Sequence, residues 1–542
     1  MPGDNARAWA TAWVGPLVFA THLLGIEAGL VGVWSDDSVY LDMATSMAAG
    51  EGPRLASLPL APLSAKYPPL WPWLMSLLVR GGLDPGTESG VWVLHAVAAA
   101  GWATAAQGVV TGLVPRLGGG RLAQLLVGAL LVVNTTTIKT VPNGMSEGLF
   151  TALFTGALLG GLYAMEAPRA GRVLLCAGLA VASALTRSVA APLMLVGAVG
   201  AGVGRQWRLA GALAAGWAAQ ALVLRLFRWG VQPLAPDAER VLHYYVSYSE
   251  HVAYYAEPAK AGRWSEAWSR LTSTVIGNTS LAVDSLGSIV YPARILGIEG
   301  EQDGSGTLLV GVAFLGAAVA AMRAPAARPL AAVIGAYFAV FVAWTWPFSS
   351  RFWLPVVPVL VACAVVGVLG AGRIGRLLAV PLVALVVIAN GFSPYYRMKT
   401  LLSGESTPVA EGAHIAALRG LAQPDDVLLG PLHIAAVARK VGCKSLELEA
   451  LLPSDLRLGL MLGQRSWSAE AGTLSEALAS SFDALGRVLP VGANAYVVVD
   501  PTLQSVGQRR VEPLIRALVA QRRLTPALAS DDAWVWRVAP AP

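Results

Sequence analysis

Long apolar runs separated by short polar connections fill the first three-quarters of the chain. Residues 8–33 are almost uncharged and exceed the roughly 20 apolar residues that a helix needs to cross a bilayer at about 1.5 Å per residue. The run is longer than a signal-peptide core and has no clear small-x-small cleavage site, so it reads as an uncleaved span. Further runs lie near 90–114, 121–138, 147–165, 172–186, 188–204, 208–229, 306–322, 329–346, 352–370 and 374–392, which predicts about 11 transmembrane helices. From about residue 393 the pattern changes. Asp425–Gly430 and Ala495–Asp500 read as strands, and Pro431–Val441, Leu474–Leu489 and Leu503–Arg523 as helices. The expected architecture is an all-α polytopic membrane domain over 1–392, with loops at 34–90 and 230–305, followed by a small α/β domain over 393–542.

Composition sharpens this picture. Of 542 residues, 55% are apolar and only 13% charged, against about 25% charged in an ordinary soluble domain. Mean hydropathy is +0.58, which excludes a disordered chain, and three cysteines exclude a disulfide-stapled one. The net charge of +6 is spread in pairs with no basic patch, so nucleic acid is not a predicted partner. No cofactor motif is present: there is no glycine-rich phosphate loop, GxSxG, HExxH or CxxC, and the cysteines have no metal-ligand spacing. No metal site is predicted.

The arginine pairs set the topology. Arg116/Arg121, Arg169/Arg172, Arg205/Arg208, Arg323/Arg328 and Arg373/Arg376 all occupy short connections, and cytoplasmic loops favour Lys and Arg. They share one face only if the chain turns back near Arg187 and within Asn134–Ser146. This places the N-terminus in the cytoplasm, and the loops and C-terminal domain outside the cytoplasmic membrane. The spans are nearly free of ionisable residues, which collect at the external ends; a transporter would be expected to carry them mid-span. Chemistry at the outer membrane face is favoured over passage through it.

The first external loop holds the most suggestive chemistry. Ser35 is placed to cap a helix from Asp36 to Ala49, with Gly50 as its stop. Asp36 and Asp37 then lie in the first turn, where the helix dipole favours ionised carboxylates. Such a carboxylate is suited to act as a base; simple complementation of the helix end is the plainer alternative. Tyr40, one turn on, faces the same site or packs at the interface. Lys66 precedes Tyr67-Pro-Pro-Leu-Trp-Pro-Trp, a proline-broken, aromatic segment at headgroup depth, where a lysine contacts a phosphate or snorkels to lipid. In the long loop, His243-Tyr244-Tyr245 opens a stretch reaching Tyr255 whose aromatics suit a sugar or headgroup groove, or else one face of an interfacial helix.

These residues, in this order, resemble the GT-C superfamily of integral-membrane glycosyltransferases, in the branch containing protein O-mannosyltransferases and lipid A aminoarabinose transferases. That branch has an acidic pair after the first span, a tyrosine-bearing helix ending in glycine, and then a Lys-x-Pro segment. Here these are Asp36-Asp37, Tyr40, Gly50 and Lys66-Tyr67-Pro68-Pro69. The likeness continues at Ser146-Glu147-Gly148-Leu149-Phe150, Leu185-Thr186-Arg187 and Arg351-Phe352-Trp353-Leu354-Pro355.

The resemblance implies transfer of a sugar from a polyprenyl-phosphate donor to an extracytoplasmic acceptor, usually with inversion. The acceptor is a glycan, a lipid or a protein. By position Asp36 corresponds to the family's catalytic aspartate, while Asp37 departs from the commoner Asp-Glu pair. Lys66 corresponds to the lysine on the donor phosphate, preceded here by Ala65 where the aminoarabinose transferases have glutamate. Arg187 and Arg351, at external span ends, are candidate bidentate phosphate ligands or interfacial anchors. Tyr67, Glu147, His243, Tyr244 and Tyr245 are candidate substrate contacts. A ligase on lipid-linked substrates, a transporter and a non-catalytic envelope scaffold stand as alternatives.

Overall fold

A computed structural model describes residues 11–26, 35–64, 66–84, 87–141, 146–229, 234–290, 311–312, 314–319, 328–345, 350–403, 413–430, 434–453, 456–457, 460, 471–499, 514–529 and 534–539. Among the described residues, three helices are long and apolar enough to cross a membrane: Ser89–Arg116, Glu147–Glu166 and Trp207–Trp229. Most of the other expected spans are shorter apolar helices: Val14–Leu23, Arg121–Val132, Ala170–Thr186, Ala190–Val203, Pro329–Val342 and Val357–Leu369. The run near 374–392 lies within a helix that continues to Ser403, and most of the run near 306–322 lies outside the described residues.

Local chemistry explains where these helices start, bend and stop. Thr87 caps the helix from Glu88 by accepting the Gly90 N–H at 3.1 Å, and Asn134 caps Thr135–Thr140 through the Thr137 N–H at 3.0 Å. Seven residues before the Arg116 end opens a five-residue π-helical turn, Val109–Leu113. It adjoins Pro115, which brings no N–H to the helical ladder. The helices carrying Gly101 and Gly148 touch backbone to backbone, and a Cβ on Gly148 would fall 2.0 Å from the Ala98 carbonyl oxygen.

The bundle has two chemically distinct ends. Arg116 pairs with Glu166 through two hydrogen bonds of 2.9 and 3.2 Å, and both Arg116 and Arg172 face the Tyr163 ring. The Arg116/Arg121 and Arg169/Arg172 connections therefore share one end. The Ala170–Thr186 helix leads from there to Arg187 at the other. Between the ends the outer surface is apolar: Leu174, Val199, Val203, Leu222, Ile374 and Leu377 are each more than half exposed. An exposed apolar belt on this scale fits a surface that meets lipid chains.

The described residues of the expected loop at 230–305 form three helices, Pro236–Val246, Ser249–Lys260 and Trp264–Val290. Gly50, with φ of +84°, ends the Ser35–Ala48 helix in the left-handed conformation that glycine adopts freely.

The C-terminal part is an α/β unit on a five-stranded sheet of order β2-β1-β3-β5-β4. The strands are β1 (Val427–Gly430), β2 (Lys444–Glu447), β3 (Ala495–Val499), β4 (Leu524–Ala529) and β5 (Trp534–Val538). β1 is parallel to β2 and β3, whereas β5 runs antiparallel to β3 and β4. The expected strands are present as 427–430 and 495–499. The helix expected over Leu474–Leu489 spans Ala471–Val488; that over Pro431–Val441 is described from Ile434. Of Leu503–Arg523, residues 514–520 are helical and 503–513 lie outside the described residues. Strands β2, β4 and β5 were not anticipated. Edge strand β2 is covered by the first loop: Ser445 N–H donates to Ser57 O at 2.9 Å, and Lys444 Nζ to Ala56 O at 2.7 Å.

Candidate active site

At the end of the bundle opposite the arginine pairs lies a cavity of about 490 Å³. It draws on segments far apart in sequence. The Ser35–Ala48 helix contributes Asp36 and Tyr40, four residues apart and so on one helical face. The segment before the Leu70–Arg80 helix contributes Lys66, Tyr67 and Pro68. Thr186 and Arg187 come from the end of the Ala170–Thr186 helix, Tyr244 and Tyr248 from the long loop, and Arg351 and Phe352 from the short Ser350–Trp353 helix.

Asp36 is the anionic centre. Its Oδ2 accepts from Arg351 Nη2 at 3.1 Å, and its Oδ1 accepts from the Tyr67 hydroxyl at 3.0 Å. Burial would raise its carboxyl pKa, but Arg351, Lys66, Arg187 and the Tyr67 hydrogen bond together hold it below the usual carboxylate range. Asp36 is therefore ionised at neutral pH, surrounded by three cations from separate elements.

Each cation is held differently. Lys66 Nζ donates to the Tyr244 carbonyl oxygen and lies among three tyrosine rings, 4.2 Å from Tyr244, 5.0 Å from Tyr248 and 5.5 Å from Tyr67. Burial lowers its amine pKa to about 8, against the opposing pull of Asp36. Arg187 donates to Glu147 Oε1 at 2.5 Å and to Ser146 Oγ at 3.3 Å. Arg351 is tied to Asp36. An ammonium has three donors and a guanidinium five, so each keeps hydrogen-bonding capacity beyond these contacts.

Seven of the eleven sequence candidates line the cavity: Asp36, Tyr40, Lys66, Tyr67, Arg187, Tyr244 and Arg351. The other four do not. Asp37 is buried away from it, its carboxylate accepting the Ser38 N–H at 2.6 Å. Glu147 is behind the wall as the counter-ion of Arg187. Tyr245 is buried, with its hydroxyl accepting the Glu447 N–H at 2.9 Å. His243 is part-exposed, 4.0 Å from Glu239 on its own helix.

The cavity also has lining residues outside that set, notably Tyr248, His251 and Trp344. His251 stacks on Trp344 with ring centroids 4.7 Å apart, and its Nδ1 is hydrogen-bonded to the Thr345 hydroxyl. Burial, with Lys66 and His243 nearby, lowers its pKa to about 3, so its ring is neutral. Spacing offered a signal: 244, 248 and 251 fall at i, i+4 and i+7. The chain breaks at Ser247 between two helices, yet the three side chains still converge. Among the described residues, no three His, Cys, Asp or Glu side chains come together as a metal site.

No protein-family model and no curated protein matches the chain. Solved structures do. ArnT from Cupriavidus metallidurans bound to undecaprenyl phosphate is similar over 100% of both chains, at 17% identity and a TM-score of 0.51. The Archaeoglobus fulgidus oligosaccharyltransferase in its apo form is similar over 95% of this chain and 73% of that one, at 13% identity and a TM-score of 0.51. The same oligosaccharyltransferase tethered to an acceptor peptide matches at 11% identity and a TM-score of 0.50, over 98% and 75%. The chain has the fold of GT-C integral-membrane glycosyltransferases. Among these it resembles a lipid A aminoarabinose transferase and an archaeal oligosaccharyltransferase.

Proposed function

We propose that this protein is a multi-pass glycosyltransferase that moves a sugar from a polyprenyl-phosphate donor to a hydroxyl of a glycan, lipid or protein acceptor at the outer face of a bacterial cytoplasmic membrane. One observation carries the reading: Asp36, Lys66, Arg187 and Arg351 meet in one cavity at the end of the bundle away from the arginine pairs. The ArnT structure to which the fold is similar holds undecaprenyl phosphate, which supports a lipid phosphate as the group these cations meet.

The proposed chemistry uses this chain's own groups. The acceptor oxygen attacks the anomeric carbon as the bond from that carbon to the phosphate oxygen breaks. The bonding electrons leave with polyprenyl phosphate, and the acceptor proton passes to Asp36. Attack opposite the leaving group gives inversion. Lys66, Arg187 and Arg351 stabilise the charge that grows on the departing phosphate. The tyrosine and tryptophan faces of the cavity offer stacking surfaces for a sugar ring. In this reading all the expected spans cross the membrane and the C-terminal domain is external.

The direct test incubates purified protein with a panel of polyprenyl-phosphate sugars and acceptor extracts, monitoring free polyprenyl phosphate. Acceptor-dependent release from at least one donor is expected; no release from any would overturn the proposal.

A further inference from the structure

None of the described residues of the C-terminal α/β unit lines the cavity, yet the unit reaches the residues that hold Lys66. Glu447, the last residue of β2, donates its N–H to the Tyr245 hydroxyl at 2.9 Å. The Arg457 guanidinium stands 4.8 Å from the Tyr244 ring centroid. Arg457 is itself buried and fixed, donating to Ala450 O at 3.0 Å and Leu452 O at 3.2 Å. Two adjacent tyrosines are thus seated on the C-terminal unit.

The same two tyrosines hold the Lys66 segment. Lys66 Nζ donates to Tyr244 O, and Ser64 Oγ donates to Tyr245 O at 3.2 Å. Lys66 and Arg457 also share the Tyr244 ring, at 4.2 and 4.8 Å from its centroid. A chain of contacts thus runs from β2 and Arg457 through the two tyrosines to the carbonyl that accepts from the Lys66 amine.

We propose that Glu447 and Arg457 are positioning residues for Lys66, acting through the Tyr244–Tyr245 pair, so that docking of the C-terminal unit sets the geometry and charge of the lysine. The meaning of this for catalysis rests on the reading of Lys66 as a donor-phosphate ligand. The groups that face Lys66 are Asp36 from the first external helix, Tyr67 from its own segment, His243, Tyr244, Tyr248 and His251 from the long loop, and Glu447 and Arg457 from the C-terminal unit. Arg457 disfavours the charged amine and Glu447 favours it.

The test measures labelling of Lys66 by a small amine-reactive reagent across pH, read by mass spectrometry on the full-length protein in detergent. Arg457→Met is expected to move the labelling midpoint to higher pH and Glu447→Gln to lower pH. Tyr245→Phe, which removes only the acceptor of the Glu447 N–H, is expected to increase Lys66 labelling at fixed pH and to lower kcat/KM for the donor about threefold or more. A thermal melt identifies variants that fold; if Arg457→Met does not, the other two still decide. Wild-type labelling profiles in the folded variants would overturn the proposal. Protection of wild-type Lys66 by added polyprenyl phosphate tests the phosphate role separately: its absence would defeat that role and leave the positioning result standing.

Discussion

Arg351 and Asp36 are 315 positions apart in the chain and joined by a hydrogen-bonded ion pair of 3.1 Å at the wall of the cavity. The pairing gives Arg351 two tasks in the proposed reaction. Before substrate arrives it keeps Asp36 ionised, and a donor phosphate then competes with Asp36 for its guanidinium. Arg351→Gln is expected to raise the donor KM at least tenfold, on the scale of about 1.4 kcal/mol per decade. It should also bring an acid limb into the kcat/KM profile at higher pH than in wild type, because Arg351 is the largest charge lowering the Asp36 pKa. Steady-state kinetics across pH measure both, and an unchanged KM would remove Arg351 from the phosphate site.

Lys66 sets the expected alkaline limit. Its amine pKa is lowered to about 8, so the charge available to a phosphate is present below that pH and lost above it. Donor affinity should fall as pH rises through about 8. Asp36 favours the charged lysine, so Asp36→Asn should move this loss to lower pH. Binding of polyprenyl phosphate, titrated between pH 6 and 10, checks the limb; affinity constant across that range would remove Lys66 from phosphate binding.

The Arg187–Glu147 pair is buried, with side-chain exposures of 15% and 2%. Removing one partner strands the other charge, so Arg187→Met alone should cost about 3–5 kcal/mol. Arg187→Met with Glu147→Leu should recover much of that loss. Melting of both variants in detergent tests this, and equal destabilisation of the single and double variants would count against mutual compensation. Neither variant is expected to regain activity, since Arg187 lines the cavity.

Gly148 allows the helix beginning at Glu147 to touch the helix carrying Ala98. A Cβ there would meet the Ala98 carbonyl at 2.0 Å, and backbone cannot swing aside as a side-chain tip can. Gly148→Ala should destabilise by about 1–3 kcal/mol or more. It should also disturb Arg187 through its neighbour Glu147. Normal melting and normal donor KM together would contradict this close packing.

Much of the site was legible because its residues stand at ends of apolar runs or beside prolines. Asp36 and Tyr40 share a helical face by spacing alone, and Arg187 and Arg351 follow from charge placed where a span stops. The misplacements arise from packing. Which face the Pro236–Val246 helix turns inward was decided by its docking on the C-terminal unit, so Tyr244 reached the cavity while His243 and Tyr245 did not. Glu147 gave no sequence sign that its partner would be Arg187, 40 residues on. Strand β2, Lys-Ser-Leu-Glu, is too short and polar to stand out, and its outer edge is paired by the Ser57 loop, 388 positions away in the chain. Strand β4 carries Pro526, which is tolerated because that strand lies at the sheet's other edge and has an irregularity there.

The most direct measurement compares wild type and Asp36→Asn under single-turnover conditions with a donor that supports release, quantifying bound donor, free polyprenyl phosphate and glycosylated acceptor. Wild type is expected to form acceptor product and polyprenyl phosphate in equal amounts. Asp36→Asn should retain donor and lose turnover by about 10²-fold or more. Turnover in Asp36→Asn at the wild-type rate would contradict the account.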